Sequence, residues 1–203
     1  MKYESFLFDI GNVLVPIDLS EVEPFFLENC GDLPSEELSG QIRVLCTALE
    51  CGKIDGETFL QKLRDDLGFH ATREQFLGVW NSIFSDNPVM WKLVSKLKEG
   101  GAQLYLFSNT NDFHLDHLLE KYTVFQHFDD GIFSQKIGFM KPSEGFYRSS
   151  LELLPIDPAS TIYIDDLAAN VDAGRRFGFE CIQYDHSDHD RLTEQLRGLG
   201  VRA

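Results

Sequence analysis

The sequence predicts an α/β protein: a parallel β-sheet with helices on both faces, interrupted after its first strand by an all-helical insertion. Three observations carry this reading. A short apolar run over residues 3–8 stops at Asp9-Ile10-Gly11-Asn12. Residues 19–84 then show helical spacing of apolar side chains and no convincing strand. From Pro88 onward, strand-like and helix-like segments alternate, the pattern that builds parallel sheets through crossover helices.

The run from Tyr3 to Phe8 is aromatic-rich and apolar, as a strand buried on both faces must be, and it hands a carboxylate to a glycine turn. In the insertion, Val22, Phe25 and Phe26 have i, i+3, i+4 spacing, as do Leu38, Ile42, Leu45 and Leu49. Phe59, Leu60, Leu63 and Leu67, and then Phe76, Leu77, Trp80 and Phe84, repeat the pattern, so four helices are expected. Breaks fall at Gly31 and Pro34, at Gly52 and Gly56, and at Gly68. After it, a helix over 89–98 is stopped by Gly100-Gly101. Strands over 103–107, 131–133, 161–164 and 180–183 then alternate with helices over 113–122, 144–153, 168–177 and 191–199. The expected division is a core of residues 1–15 and 88–203 around a helical cap of residues 16–87.

Composition narrows the partners. Eighteen Lys and Arg against 33 Asp and Glu leave a net charge of −15 over 203 residues. No basic stripe is present to displace counterions, which argues against a nucleic-acid partner. The first apolar stretch, Phe6-Leu7-Phe8, ends at Asp9, too short for a membrane span or a signal peptide. Cys30, Cys46, Cys51 and Cys181 form no C-x-x-C pair, and reduced thiols in a cytoplasmic setting are the expectation.

In open α/β sheets ligands bind outside the carboxyl ends of the strands, where turns and helix N-termini converge. What each expected strand ends in is therefore informative. The first ends in Asp9, the strand through Phe107 in Ser108-Asn109-Thr110, and the strand through Ile164 in Asp165-Asp166, with Asn170 one helical turn on. Lys141 lies between the last two, in Gly138-Phe139-Met140-Lys141-Pro142. Adjacent carboxylates need a compensating cation, and a hard oxygen donor set suits Mg²⁺. A carboxylate can attack phosphorus, and lysine, hydroxyl and amide donors can hold the phosphoryl oxygens. Phosphoryl transfer through an aspartyl-phosphate fits every piece.

With Asp9-Ile10-Gly11-Asn12-Val13-Leu14, Ser108-Asn109-Thr110, Lys141-Pro142 and Asp165-Asp166 plus Asn170 in this order, the chain resembles the haloacid dehalogenase-like hydrolases, in particular helical-cap members with an Asp-x-Gly-Asn-Val first motif. The resemblance implies a Rossmann-like core with an inserted four-helix cap, acting as a Mg²⁺-dependent phosphatase on a small phosphorylated metabolite such as a sugar phosphate. It implies that Asp9 is the nucleophile and a metal ligand, that Gly11 lends its carbonyl to the metal, and that Asp166 binds the metal with Asp165 and Asn170 in support. Ser108, Asn109 and Lys141 are the implied phosphate holders.

One position departs from the family pattern. Phosphatases of this family usually carry a second aspartate two residues after the nucleophile as proton shuttle, and here that position is Gly11. General acid–base catalysis contributes about 10²–10⁴-fold, so a substitute donor or a good leaving group, such as a sugar 1-phosphate or an aryl phosphate, is expected. Asp18, at the cap hinge, is one candidate donor. Lys53, in the loop between two cap helices, is a candidate substrate contact and would be the electrophile of a phosphonatase. A metal-free dehalogenase fits poorly with Asp165-Asp166, and a non-catalytic binding module that lost turnover with its acid is the rival from another class. The bland readings are a strand-end turn at Asp9, helix caps at Ser108-Asn109 and Asp165-Asp166, and solvated surface at Lys141 and Lys53. The pair His114 and His117, like His186 and His189, lacks the further ligands a zinc site needs.

Overall fold

In the computed structural model, which describes residues 2–31 and 33–202, five strands form one parallel sheet in the order β3-β2-β1-β4-β5. The strands are β1 (Ser5–Phe8), β2 (Gln103–Ser108), β3 (Asp130–Phe133), β4 (Thr161–Asp165) and β5 (Glu180–Gln183). β1 sits in the middle, buried along its whole length and paired with β2 on one side and β4 on the other. The chain winds outward from β1 to β2 and β3, then returns to β4 and β5 on the opposite side. That reversal puts a crevice at the carboxyl ends of β1 and β4.

Alternating side chains of the strands feed two cores. Phe6, Phe8, Leu104, Leu106, Ile162 and Ile164 face one side, under α5 (Pro88–Glu99), α6 (Asp112–Lys121) and α10 (His189–Gly198). Leu7, Tyr105, Phe107 and Tyr163 face the other, under α8 (Glu144–Leu153) and α9 (Ala168–Arg176). Both faces being covered explains why β1 and β4 read as unbroken apolar runs.

Between β1 and α5 lie α1 (Val22–Asn29), α2 (Ser35–Glu50), α3 (Gly56–Leu67) and α4 (Arg73–Trp80). They bury their own aromatic core, in which Phe76 and Trp80 stack at 5.1 Å and Phe26 and Phe59 each pack edge-on or tilted against both, within 6.4 Å. Thr72 and Gln75 close a capping box at the start of α4, and Gly68 ends α3 in the left-handed conformation. Expected and observed elements agree closely, with two informative differences. β4 continues one residue further than expected, so Asp165 is a strand residue with a fully buried side chain. A four-residue helix, α7 (Ser134–Ile137), precedes the Lys141 loop; it is too short to produce a helical period in the sequence. No helix among the described residues is long and apolar enough to cross a membrane.

The insertion meets the sheet at the end of α2. Gly52 has φ +63°, and a Cβ there would lie 2.0 Å from the carbonyl oxygen of Gln135 in α7. Gly52→Ala combines a left-handed strain of about 1–3 kcal/mol with a backbone clash. The expected outcome is a Tm lowered by at least about 4 °C in thermal unfolding, whereas Gly40→Ala in α2, whose Cβ meets nothing within 4 Å, leaves Tm unchanged or higher.

Candidate active site

At the carboxyl end of β1 the chain turns sharply. Asn12 takes φ +55°, a left-handed conformation that asparagine tolerates better than most residues. Its N–H donates to the Val15 carbonyl, its Oδ1 accepts from the Ile17 N–H at 3.1 Å, and its Nδ2 donates to Asp166 Oδ2 at 3.3 Å. One side chain thereby ties the start of the insertion to a carboxylate at the end of β4. The turn leaves Asp9 nearly buried, with Oδ1 accepting from the Ile10 N–H at 2.7 Å.

Lys141 is the centre of the site. Its ammonium is 2.7 Å from Asp165 Oδ2, 3.0 Å from Asp9 Oδ1 and 2.6 Å from the Phe107 carbonyl oxygen. Its three N–H groups are thus all committed, and they join the ends of β1, β2 and β4. Burial works against its charge, but the two carboxylates outweigh that and raise its pKa, so it stays an ammonium. Asn109, expected as a phosphate holder, spends its carboxamide on positioning this lysine: Nδ2 donates to the Lys141 carbonyl and Oδ1 accepts from the Lys141 N–H. Ser108 is buried, with its hydroxyl on the Asn109 carbonyl at 3.2 Å.

The two successive aspartates divide their work. Asp165 accepts from Lys141, the Tyr163 hydroxyl, the Leu167 N–H and both contacts of Asn170 Nδ2. Burial pushes its pKa up, but these donors more than offset it and hold it low. Asp166 is half-buried and keeps a single side-chain hydrogen bond, from Asn12; burial and neighbouring Asp165 raise its pKa. Burial likewise raises Asp9, to about 6, with Lys141 opposing and Asp165 adding to it.

Asp9, Asp165 and Asp166 bring carboxylate oxygens within 4.8 Å of one another. Three carboxylates around one ammonium leave two negative charges uncompensated, and the donors are hard oxygens; the set fits a divalent cation of the Mg²⁺ type. With Asp165 saturated by its donors, Asp9 and Asp166 hold the oxygens free to ligate.

These groups form the floor of a cavity of about 440 Å³ between the sheet and the insertion. Gly11 lines it, and the space a Cβ would take there is occupied by the Ile17 side chain, whose Cδ1 would be 2.5 Å away. The structure does not bring Asp18 or Lys53 to this cavity. Asp18 is exposed, and its carboxylate caps its own turn by accepting from the Ser20 N–H. Lys53 is exposed on the loop after α2. The carboxyl that does line the cavity from the insertion is Glu50, in the last turn of α2, and burial raises its pKa. Ile42, Cys46 and Glu50 recur every fourth residue along α2 and face the cavity together; that stripe was the available signal. His114 also lines the cavity, but its ring nitrogens contact Asn111 Nδ2 and the Trp80 carbonyl, and burial lowers its pKa to about 4, so it is neutral.

The sequence pattern of haloacid dehalogenase-like hydrolases matches residues 3–178. The chain belongs to that family. It is 25% identical over 189 residues to the D-ribitol-5-phosphate phosphatase of Bacteroides thetaiotaomicron, covering 89% of this chain and 91% of that protein. It is 29% identical over 187 residues to a sesquiterpene phosphatase of Aspergillus oryzae, covering 87% of each. Its fold superposes on a crystal structure of a haloacid dehalogenase family enzyme from Bacteroides thetaiotaomicron with a TM-score of 0.82 at 23% identity, over 92% of this chain and 97% of that one. The same enzyme has been crystallised with magnesium and inorganic phosphate.

Because Asn12 holds Asp166 by its side chain and also needs a left-handed backbone, Asn12→Gly removes the first and keeps the second. It should weaken Mg²⁺ binding about 10–100-fold, read by titration calorimetry, with Tm changed by only a few degrees. An unchanged Mg²⁺ Kd would show that the Asn12–Asp166 contact does not orient a metal ligand.

Proposed function

We propose that this hydrolase cleaves phosphomonoesters with Mg²⁺, through an aspartyl-phosphate on Asp9, beneath a cap formed by residues 16–87. The observation that carries the reading is the buried Asp9–Lys141–Asp165 cluster with Asp166 beside it, at the crevice where the winding of the sheet reverses. Support also comes from the relatives named as phosphatases, which span nearly the whole chain.

Asp9, Asp166 and the Gly11 carbonyl would hold Mg²⁺. The ion, when bound, supplies positive charge to the phosphoryl oxygens. Asp9 attacks phosphorus, forming the Asp9 O–P bond as the P–O bond to the leaving alcohol breaks. Lys141 keeps Asp9 ionised and aimed, and its charge faces the phosphoryl group as the bond forms. Water then attacks the phosphorus of the acyl phosphate and releases inorganic phosphate and free Asp9. Ser108 and Asn109, which line the same cavity, would border the phosphoryl group.

Glu50 takes the proton-transfer role that Gly11 cannot. Its burial-raised pKa favours the protonated carboxyl, which gives its proton to the departing alkoxide and then takes one from the attacking water. The exposed, turn-bound Asp18 has neither the place nor the raised pKa for this. Lys53, outside the cavity, is equally ill-placed for a Schiff base with a phosphonate substrate.

Phosphate release from a panel of esters, measured with Mg²⁺ and with EDTA, tests the reaction. Turnover should vanish with EDTA and fall at least about 10³-fold in Asp9→Asn; equal rates with and without metal would overturn the proposal. Glu50→Gln should slow alkyl phosphates by about 10²-fold or more and p-nitrophenyl phosphate far less, because nitrophenolate leaves without a proton. Since the donor must be protonated, wild-type kcat on alkyl esters should fall as pH rises through the Glu50 pKa, and that alkaline limb should be missing in Glu50→Gln. Equal losses on both ester classes would remove Glu50 from the proton path.

A further inference from the structure

Above its carboxylate floor the cavity changes chemistry. Leu19, Val22, Ile42, Trp80, Phe84 and Leu118 form its walls. The few polar groups there are poor partners for a hydroxylated substrate. The Cys46 thiol is pushed up to about 12 by burial and stays neutral, and the ring nitrogens of His114 are already engaged by Asn111 and Trp80. Glu50 alone offers a carboxyl. A polyol or sugar bound here would bury most of its hydroxyls without partners, which is unfavourable.

The cavity also does not end at the insertion. Leu19, Val22, Ile42 and Cys46 line a second cavity of about 420 Å³, whose other walls include Phe26, Leu27 and Leu38 of α1 and α2. The two spaces share these four side chains and so adjoin across one apolar wall between α1 and α2. Leu19 and Leu27, at 61% and 46% exposure, carry hydrocarbon out to the surface, where Glu23, Ser39 and Arg43 form the polar part of the second lining. Along α2, Leu38, Ile42, Cys46 and Glu50 recur every fourth residue, so one helix face runs from the outer groove to the carboxyl that faces the reaction.

We infer that the substrate is the monophosphate of a long aliphatic alcohol, with its phosphate at Asp9 and its hydrocarbon tail in the groove between α1 and α2. The inference rests on the phosphomonoesterase reading and specifies its leaving group. It replaces the sugar phosphate expected from the sequence. A simple alkoxide is also a poor leaving group, which suits the proposed proton transfer from Glu50, a carboxyl lining the same cavity. The tail, entering from the α1–α2 side, leaves the phosphate facing Lys141 and Asp166.

The test is a chain-length series of methyl, butyl, octyl and dodecyl phosphates below their micelle concentrations, with sorbitol 6-phosphate as the polar comparison. kcat/KM should rise by up to about fourfold for each methylene that becomes buried, reaching a plateau when the groove is full, and sorbitol 6-phosphate should be poorer than butyl phosphate. Turnover with no chain-length dependence, or a preference for the sugar phosphate, overturns this inference and leaves the phosphatase reading intact. Absence of turnover on every ester overturns the phosphatase reading instead. The same alkyl phosphates titrated into Asp9→Asn with Mg²⁺ then still decide the groove, because Kd should fall with chain length and a flat Kd refutes it. Ile42→Asn, at the junction of the two cavities, should lose activity increasingly with chain length. Leu27→Asn, at an exposed position, should do the same, so the test survives if the Ile42 variant fails to fold. Losses equal across the series for both variants would also refute the groove.

Discussion

A buried ammonium between two carboxylates sets the terms for the rest of this molecule. Lys141 joins Asp9 at the end of β1 to Asp165 at the end of β4 and is also bound to the main chain of β2. Removing one partner of such a buried pair costs about 3–5 kcal/mol, because the remaining charge is stranded without water. The arrangement is therefore structural as well as chemical: it ties three parallel strands together at the edge that borders the cavity. Asn109 extends it by holding the Lys141 main chain from both sides, and Tyr163 and Asn170 extend it by saturating Asp165. What the cluster leaves unspent, on Asp9 and Asp166, is what a divalent cation and a phosphoryl group can use.

The parts of this site legible in the sequence are those placed by strand topology. Asp9 and the Asp165-Asp166 pair follow apolar runs directly, and parallel strands aim their carboxyl ends at one rim, so no side-chain detail was needed to bring them together. Lys141 precedes a proline in a loop after a helix too short to register as periodic, so its position between the strand-end clusters and the family resemblance, not a strand end, singled it out. The role of the Asn109 carboxamide depends on which way one loop approaches another, something a linear motif does not encode. Asp18 is close to the hinge in sequence yet turned into its own local cap, whereas Glu50 is far from Asp9 in sequence and faces the same cavity. The difference is helix rotation. The apolar residues of α2 mark the face buried in the insertion, and the neighbouring stripe that looks toward the sheet is mixed in character. Asn12 reads as an ordinary turn former, and nothing local distinguishes it from one that also holds a carboxylate from β4.

The cavity has two chemistries meeting at a sharp boundary, and each comes from a different part of the chain. The floor is supplied by strand ends, whose main-chain geometry is set by the sheet. The walls are supplied largely by helices that bury a core of their own. The carboxylate floor and the apolar walls thus rest on separable sets of side chains. Glu50, on a helix of the insertion, is a carboxyl among these apolar walls.

The volume over Gly11 is filled by the δ-methyl of Ile17, itself anchored through its N–H to Asn12. An aspartate at position 11 would bring its first side-chain carbon to 2.5 Å from the Ile17 Cδ1, so the isoleucine side chain has to rotate aside to admit it. Positions 11 and 17 are thereby energetically coupled: a carboxyl at one calls for a smaller or reoriented side chain at the other, and the combined change should differ from the sum of the single ones. The rotamer of Ile17 thereby governs how readily this turn can accept a side chain at position 11.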